Sequence, residues 1–356
     1  MIKITRGNLL KADVDALVNT VNTQGVMGKG IALQFKRAFP KAFAQYEAAC
    51  ARGEVKVGHV HIVDAGGLVG GPKWIVNFPT KAHWRAKSKL VDIKTGLVDL
   101  VAACLRLEIR SIAVPPLGCG LGGLSWSDVR PLIERAFEAV PQVDVHLYPP
   151  EGAPLAVDMP TNTKRPEMTA GRAALVSLIR RYQDGLMDPF VSLLEVHKLM
   201  YFLQEAGQPL RLQYTEGRYG PYAKNLRQVL ICVEGHYLQG YGDGADSPTK
   251  IIDIMDGAVE AAENFLRDMP DVGEKIERVA SLIDGYEDAY GLELLSSVHW
   301  VMCQSAEARD SAEGALQKVH EWNDRKSRLL KPEHIRQAWS HLHAASWGSE
   351  SRSAIH

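Results

Sequence analysis

The chain has 356 residues, 46% hydrophobic and 23% charged, with a formal net charge of −1; this is the composition of an ordinary globular protein with room for two domains, and it excludes a disordered class. Five cysteines, Cys50, Cys104, Cys119, Cys232 and Cys303, stand without a CxxC pair, which argues against a structural zinc site or a disulfide framework and predicts a reducing, cytoplasmic location. Residues 1–6 carry no apolar signal region and no apolar run reaches membrane-span length, so neither export nor a membrane is expected.

The apolar run Ala16–Val21 has strand length and leads through a glycine-spaced turn, Asn22 to Gly30, into Ile31, Phe35, Ala38 and Phe39 at helical spacing, with a break at Pro40. Strand, glycine turn and helix start together make an anion cradle, because glycine removes the Cβ that would block backbone amides and a helix start leaves its first amides unpaired. Alone the pattern is weak, being neither the dinucleotide fingerprint nor the P-loop motif. Gly58–Val63 alternates, and Trp74–Phe78 repeats the strand signal after glycine turns at Gly66-Gly67 and Gly70-Gly71-Pro72, which predicts a hairpin. Leu90, Ile93, Leu97, Leu100, Val101 and Cys104 mark one face of a helix. Ser111–Pro115 is a strand ending in a second glycine loop, Pro116–Leu124; residues 128–140 read as helix and Val143–Tyr148 as a further strand. Alternating strands and helices predict a layered α/β domain with both glycine loops at strand ends, where ligands of such sheets bind.

Four short segments, Gly7-Asn8-Leu9-Leu10, Asp15–Asn19, Met27–Ile31 and Gly118–Gly122, stand in the order found in macrodomains, and roughly residues 1–150 resemble that ADP-ribose-binding family. The resemblance implies an α/β macrodomain, three-layer α/β/α with a mixed sheet, holding ADP-ribose across the strand ends. It places Asn8, Leu9, Asn19, Asn22, Gly25, Val26, Met27, Gly28, Lys29, Gly30 and Ile31 on one side of the ligand, and Leu117, Gly118, Cys119, Gly120, Leu121 and Gly122 on the other. An acidic residue that usually contacts the adenine amino group is replaced here by Asn8, whose side-chain oxygen can accept the same bond. Asn22 is the residue implied to orient the distal ribose.

Phe78-Pro79-Thr80-Lys81-Ala82-His83-Trp84-Arg85-Ala86-Lys87-Ser88-Lys89 places a lysine just past a strand that should end at this cleft. The macrodomain branch that includes DarG-type DNA ADP-ribosyl glycohydrolases uses a catalytic lysine here, which makes Lys81 the catalytic candidate. A lysine amine attacks an anomeric carbon only when deprotonated, so burial or cations such as Lys29 or Arg85 would have to lower its pKa. The route is then opening of the distal ribose, a transient Schiff base and hydrolysis; a role as acid or electrostatic stabiliser is equally economical. His83 is the second catalytic candidate, since imidazole titrates near neutrality. A relative in this branch has a catalytic aspartate aligned with Gly122, where this chain has no carboxylate, and Asp128 reads as a helix cap rather than a catalyst. Thr80, Trp84, Arg85, Lys87 and Lys89 interleave cations with an aromatic, the pattern that binds single-stranded nucleic acid through phosphates and base stacking. A modified base has to leave the duplex stack to reach a pocket, so single-stranded or flipped substrate is expected.

Proline-rich punctuation at 149–154 and 160–166 predicts a domain 1–152, a linker 153–167 and a mainly α-helical domain 168–356. Residues 1–167 carry 21 Lys/Arg against 15 Asp/Glu, a net +6, whereas 168–356 carry 20 against 27, a net −7. Apolar stripes at Leu175–Tyr182 and Leu193–Leu203 read as core, with later helices around 259–267, 276–289, 292–303, 314–322 and 332–342. No metal cluster, catalytic triad or phosphate loop is apparent in this half. His197–Leu203, Gly217–Tyr222 and Gly235-His236-Tyr237 resemble the helical module of SocA-like antitoxins, which implies a toxin-binding domain. Asp243–Glu293 holds 14 acidic residues against four basic ones, suited to filling the nucleic-acid groove of a DNA-modifying toxin, while Arg325-Lys326-Ser327-Arg328 is basic. Together these features imply an antitoxin with a DarT-like ADP-ribosyltransferase toxin as partner, ADP-ribosylated single-stranded DNA (thymine bases, by the resemblance) as substrate, ADP-ribose as product and no cofactor. Two alternatives stay open: a hydrolase of protein adducts or O-acetyl-ADP-ribose, and a non-enzymatic reader or toxin binder.

Overall fold

A computed structural model of the chain describes residues 1–65, 71–185 and 190–348. The chain divides into two compact units, Met1–Lys164 with the short segment Gly242–Ala245, and Arg165–Tyr241 with Asp246 onward. The expected turn at Gly66-Gly67 and the residue Gly70 lie outside the described residues.

The first unit is built on six strands, β1 (Ile2–Ile4), β2 (Ala16–Asn22), β3 (His61–Asp64), β4 (Trp74–Lys81), β5 (Ser111–Val114) and β6 (Asp144–Leu147), ordered β1-β6-β5-β2-β4-β3. All pairs are parallel except β3 with β4, so the hairpin expected from the sequence makes the sheet mixed. Among the described residues four α-helices cover it: α1 (Gly30–Ala38), α2 (Pro40–Ala51), α3 (Leu90–Arg106) and α4 (Trp126–Glu138). The strand period of two sorts the core into layers. Val18, Val76 and Ile112 pack with Ile93, Leu97, Val129 and Ile133 of α3 and α4. Their neighbours Leu17, Ile75 and Ala113 face Phe35, Ala38 and Ala42 of α1 and α2. Each buried Val, Leu, Ile or Phe among these contributes roughly 1.5–3 kcal/mol. Gly96 of α3 lets that helix close on the sheet, since a Cβ there would stand 2.4 Å from Cζ of Phe78.

Several sequence expectations need adjusting. β1 was not expected; it is short and half-exposed, and its pairing with β6 rather than any local pattern makes it a strand. Pro40 does break α1, and it also opens α2 as the first helical residue, where its missing N–H costs nothing. Asp128 is not the cap of α4; Ser125 holds that position and Asp128 lies in the first turn, where a carboxylate complements the helix dipole.

The second unit is mainly helical. Its elements are α5 (Ala170–Asp184), β7 (Val191–Ser192), α6 (Leu193–Glu205), β8 (Tyr214–Gly217), β9 (Gly220–Ala223), α7 (Leu226–Val233), β10 (Leu238–Gln239), β11 (Ile251–Ile254), α8 (Ala258–Leu266), α9 (Pro270–Ile283), α10 (Ala289–Gln304), α11 (Ala306–Asp310), α12 (Ala312–Trp322), α13 (Asp324–Leu329) and α14 (Pro332–Ala344). α6 begins with a capping box in which Ser192 and Glu195 satisfy each other's backbone amides. α10 is buried over most of its length and forms the centre of the unit. The helix expected over 276–289 ends at Ile283, because Gly285 with φ of 80° breaks it before Asp288 caps α10. The Gly217–Tyr222 stretch is a hairpin, β8 against β9, with Arg218 and Tyr219 at its turn.

Candidate active site at the strand ends

β2 and β4 run parallel and end together, and a register shift after Val21 pairs Asn22 with Lys81. The loop that follows β2 is shaped by Asn22 itself. Its Oδ1 accepts from Gln24 N at 2.8 Å and Val26 N at 3.4 Å, its Nδ2 donates to Val26 O at 2.6 Å, and its carbonyl accepts from the Tyr46 hydroxyl at 2.5 Å. Gly25 sits at φ 74° and Gly30 at φ 62°, left-handed positions that suit glycine, and Lys29 is the N-cap of α1. The Gly30 amide is already taken by the Asp243 carbonyl at 2.7 Å, within the same unit, so it is not a spare donor. Beneath the loop, Asn19 and Asn77 are buried and joined at 3.2 Å, and Asn77 approaches His61 Nδ1 at 3.4 Å. Among the described residues Asn19 Oδ1 has no hydrogen-bond partner.

Lys81 closes β4 and reaches across to the second glycine loop, where Nζ lies 3.3 Å from the Leu121 carbonyl. Burial first, and the Lys87 ammonium second, hold its pKa below the ordinary lysine range. The neighbouring cation is therefore Lys87, not Lys29 or Arg85 as expected from the sequence. Lys87 also approaches the second loop, since a Cβ on Gly123 would stand 3.0 Å from its Nζ.

The second loop is a closed series of turns. Leu124 N donates to Gly118 O, Gly123 N to Gly120 O, each at 3.0 Å, and Ser88 N donates to Gly122 O at 3.0 Å. Gly122 has no room for a side chain: a Cβ would meet Gly118 O and Ser88 Oγ, both at 2.3 Å. A catalytic carboxylate at this position is thus sterically barred as well as absent. Cys119 is half-buried and its thiol is pushed up to about 11 by burial and then by Asp128, so it is a neutral group at physiological pH.

Other expected residues are placed less directly. Asn8 Oδ1 caps a short 3-10 turn by accepting from Leu10 N at 3.0 Å, and its Nδ2 donates to Asp158 O at 2.7 Å. Leu9, Met27 and Leu117 are core side chains, so only their backbones are available to a ligand. Val26 and Leu121 are exposed, and Gly28, Gly120 and Ile31 fall within the two loops or the start of α1. Thr80 does not belong to an exposed nucleic-acid surface: it is buried, with its hydroxyl donating to Val21 O at 3.4 Å between β2 and β4. His83, Trp84, Arg85, Lys87 and Lys89 are exposed. The His83 ring stacks on Trp84 at 5.4 Å, and the Arg85 guanidinium lies 4.4 Å from the indole centroid. His83 Nδ1 accepts from Arg85 N at 3.2 Å, so the imidazole is engaged in the turn that follows β4.

A macro domain family model matches residues 18–133. A DNA ADP-ribosyl glycohydrolase of Mycobacterium tuberculosis is 44% identical over 350 residues, covering 94% of this chain and 97% of that protein. One of Thermus aquaticus is 46% identical over 332 residues, covering 93% and 90%. The chain belongs to the DarG family of DNA ADP-ribosyl glycohydrolases. The solved macrodomain of Mycobacterium tuberculosis DarG is 58% identical, covering 42% of this chain and 99% of its own, with a TM-score of 0.42.

Within this DarG-family site, two residues escaped the sequence reading. Ser88 is buried against the second loop with a hydroxyl that finds no hydrogen-bond partner among the described residues, and nothing in the exposed-looking run Lys87-Ser88-Lys89 signals that burial. Asn77 was legible: it interrupts the apolar strand Trp74–Phe78 as Asn19 interrupts its own, and the parallel register places the two side by side.

Proposed function

We propose that this chain hydrolyses the bond between ADP-ribose and a base of single-stranded DNA, with Lys81 as the reacting amine, and that its second unit binds and neutralises a DarT-like transferase. The observation that carries the catalytic part is the Lys81 amine, with its lowered pKa, held between the end of β2 and the second glycine loop. In this reading the two loops hold the diphosphate and the distal ribose, with Asn22 fixing the shape of the first loop. A neutral Lys81 adds to the anomeric carbon of the ring-opened ribose, the base departs with a proton, and water releases ADP-ribose from the resulting imine. Lys87 contributes by disfavouring the ammonium form, and Ser88 offers a hydroxyl beside Gly122.

The exposed stack of Trp84 with His83 and Arg85, beside Lys87 and Lys89, supports a single-strand track leading to the lysine. In the second unit, Glu260 and Glu263 on α8 and Asp271, Glu274 and Glu277 on α9 are exposed, which supports an acidic face for a basic toxin groove. No helix among the described residues is long and apolar enough to cross a membrane. The test is to present the full chain with an ADP-ribosylated single-stranded oligonucleotide and, separately, an ADP-ribosylated protein. Release of ADP-ribose from the DNA in clear preference to the protein is expected; the reverse preference would overturn the substrate assignment.

A further inference from the structure

The end of β2 is held from behind by a residue of α2. Pro40 opens that helix, and Ala42, Tyr46 and Ala49 recur along its buried face at helical spacing. Tyr46 is fully buried in a small core with Val21, Met27 and Val55, its ring 6.4 Å from those of both Phe43 and His61. A tyrosine so placed has one polar atom to satisfy, and its hydroxyl donates to the Asn22 carbonyl at 2.5 Å. Burial, ahead of any neighbouring group, pushes the pKa of that hydroxyl up, which keeps it protonated as a donor. Cys50, one turn further along α2, shares hydrogen bonds with the same hydroxyl and with the Gly25 amide. A Cβ on Gly25 would lie 3.6 Å from that of Cys50, so the first glycine loop rests on this helix.

The carbonyl that Tyr46 holds stands at an irregular point of the sheet. Val21 is paired with Pro79 and Asn22 with Lys81, so Thr80 has no opposite residue on β2. A bulge of this kind disrupts the ladder locally, here where the two strands deliver their loops. Beyond it, Thr23 ties the strands again through the Ala82 carbonyl, which accepts from its hydroxyl at 2.8 Å and its amide at 3.3 Å. Asn22 is thus anchored by Tyr46 on the helix side, while its own side chain bonds Gln24 and Val26 and shapes the loop. Moving its carbonyl carries the loop with it and changes the distance from the loop to the Lys81 amine.

We propose that Tyr46 is a positioning residue for bond cleavage: acting through the Asn22 carbonyl, it sets the first glycine loop at its working distance from the Lys81 amine. This role rests on the reading of Lys81 and the two loops given under Proposed function. Its effect falls on the chemical step more than on affinity. A small shift of the loop leaves its backbone amides and the second loop able to meet the diphosphate, whereas attack on the ribose depends steeply on the separation of the reacting atoms. In the sequence Tyr46 is one apolar position among others on α2; only the fold brings its hydroxyl to the end of β2.

The test is Tyr46→Phe in the full chain, which keeps the ring and removes the donor. Single-turnover release of ADP-ribose from an ADP-ribosylated single-stranded oligonucleotide should slow by about ten- to a hundredfold, while calorimetric affinity for ADP-ribose stays within about threefold of wild type. Val55→Ala loosens the same core and should lower the unfolding temperature without slowing release. Combined with Asn22→Ala, the Tyr46→Phe change should slow release by less than about threefold further, because both residues act on one loop. A wild-type rate in Tyr46→Phe, an equal slowing in Val55→Ala, or fully multiplicative losses in the double variant would overturn the role of Tyr46. Lys81→Ala in the same assay tests the underlying reading separately: wild-type turnover there would remove the lysine mechanism, while the coupling of Tyr46 to Asn22 is still read from the other variants.

Discussion

The Lys81 ammonium lies 3.3 Å from the Leu121 carbonyl although the two residues are 40 positions apart in the chain. The contact joins the end of β4 to the second glycine loop, while the paired strand β2 delivers the first loop beside it. Parallel pairing of β2 and β4 makes this convergence unavoidable, because both strands release their loops at the same edge.

A neutral amine is needed for attack, so the rate of ADP-ribose release should rise with pH as Lys81 loses its proton and level off above its pKa. Burial and Lys87 place that pKa below the ordinary lysine range. Lys87→Ala removes a repelling cation, and the rising limb should move to higher pH. Borohydride added during turnover should trap wild-type chain on the substrate; an unmoved limb and no trapped adduct would count against the amine mechanism.

Gly122→Ala places a Cβ within 2.3 Å of both Gly118 O and Ser88 Oγ, so the loop has to open. ADP-ribose affinity measured by calorimetry should fall by about tenfold or more, equivalent to about 1.4 kcal/mol. Wild-type affinity would mean that the second loop does not hold the ligand.

Much of the first unit was legible because its strands and glycine loops follow one another with clear periodicity. β2, β4 and α3 show their apolar patterns directly, while Lys81, which closes β4, was singled out by the resemblance to a macrodomain branch with a catalytic lysine at this place. What the sequence hid are relations between distant segments. Lys87 rather than Lys29 or Arg85 perturbs Lys81, since the loop after β4 folds back to the second glycine loop. Thr80 looked like part of a basic surface, yet β4 is covered on both faces from Ile75 to Thr80 and buries it. In the second unit the amphipathic helices were visible, but Lys198 and Lys326 are buried lysines that no composition argument anticipates.

Trp84→Ala should weaken binding of single-stranded oligonucleotide by roughly 1–3 kcal/mol with little effect on free ADP-ribose. Lys89→Ala should weaken oligonucleotide binding and lower its salt dependence, since one phosphate contact accounts for a slope of about 0.7 for single strands. Equal losses for oligonucleotide and free ADP-ribose in Trp84→Ala would place the indole in the nucleotide pocket instead.

Glu293 is buried and pairs with Arg325 at 2.5 Å and Lys326 at 3.0 Å, while Lys326 also donates to Ser297 at 2.8 Å. The same cluster contains Lys198, wholly buried, donating to the Pro221 carbonyl at 2.8 Å. Its pKa is held down to about 7 by burial, and secondly by Lys326. Glu293→Gln leaves these cations without their carboxylate and should destabilise the second unit by about 3–5 kcal/mol. Urea unfolding followed through the tryptophans of this unit gives the measurement, and an unshifted midpoint would contradict the account.

The most direct test of the account is Lys81→Ala in the full chain, assayed on an ADP-ribosylated single-stranded oligonucleotide alongside calorimetric binding of free ADP-ribose. Release of ADP-ribose should fall by roughly 10²–10⁴-fold with ADP-ribose affinity changed by less than about tenfold. Wild-type turnover by the Lys81→Ala chain would contradict the assignment of Lys81 as the reacting amine.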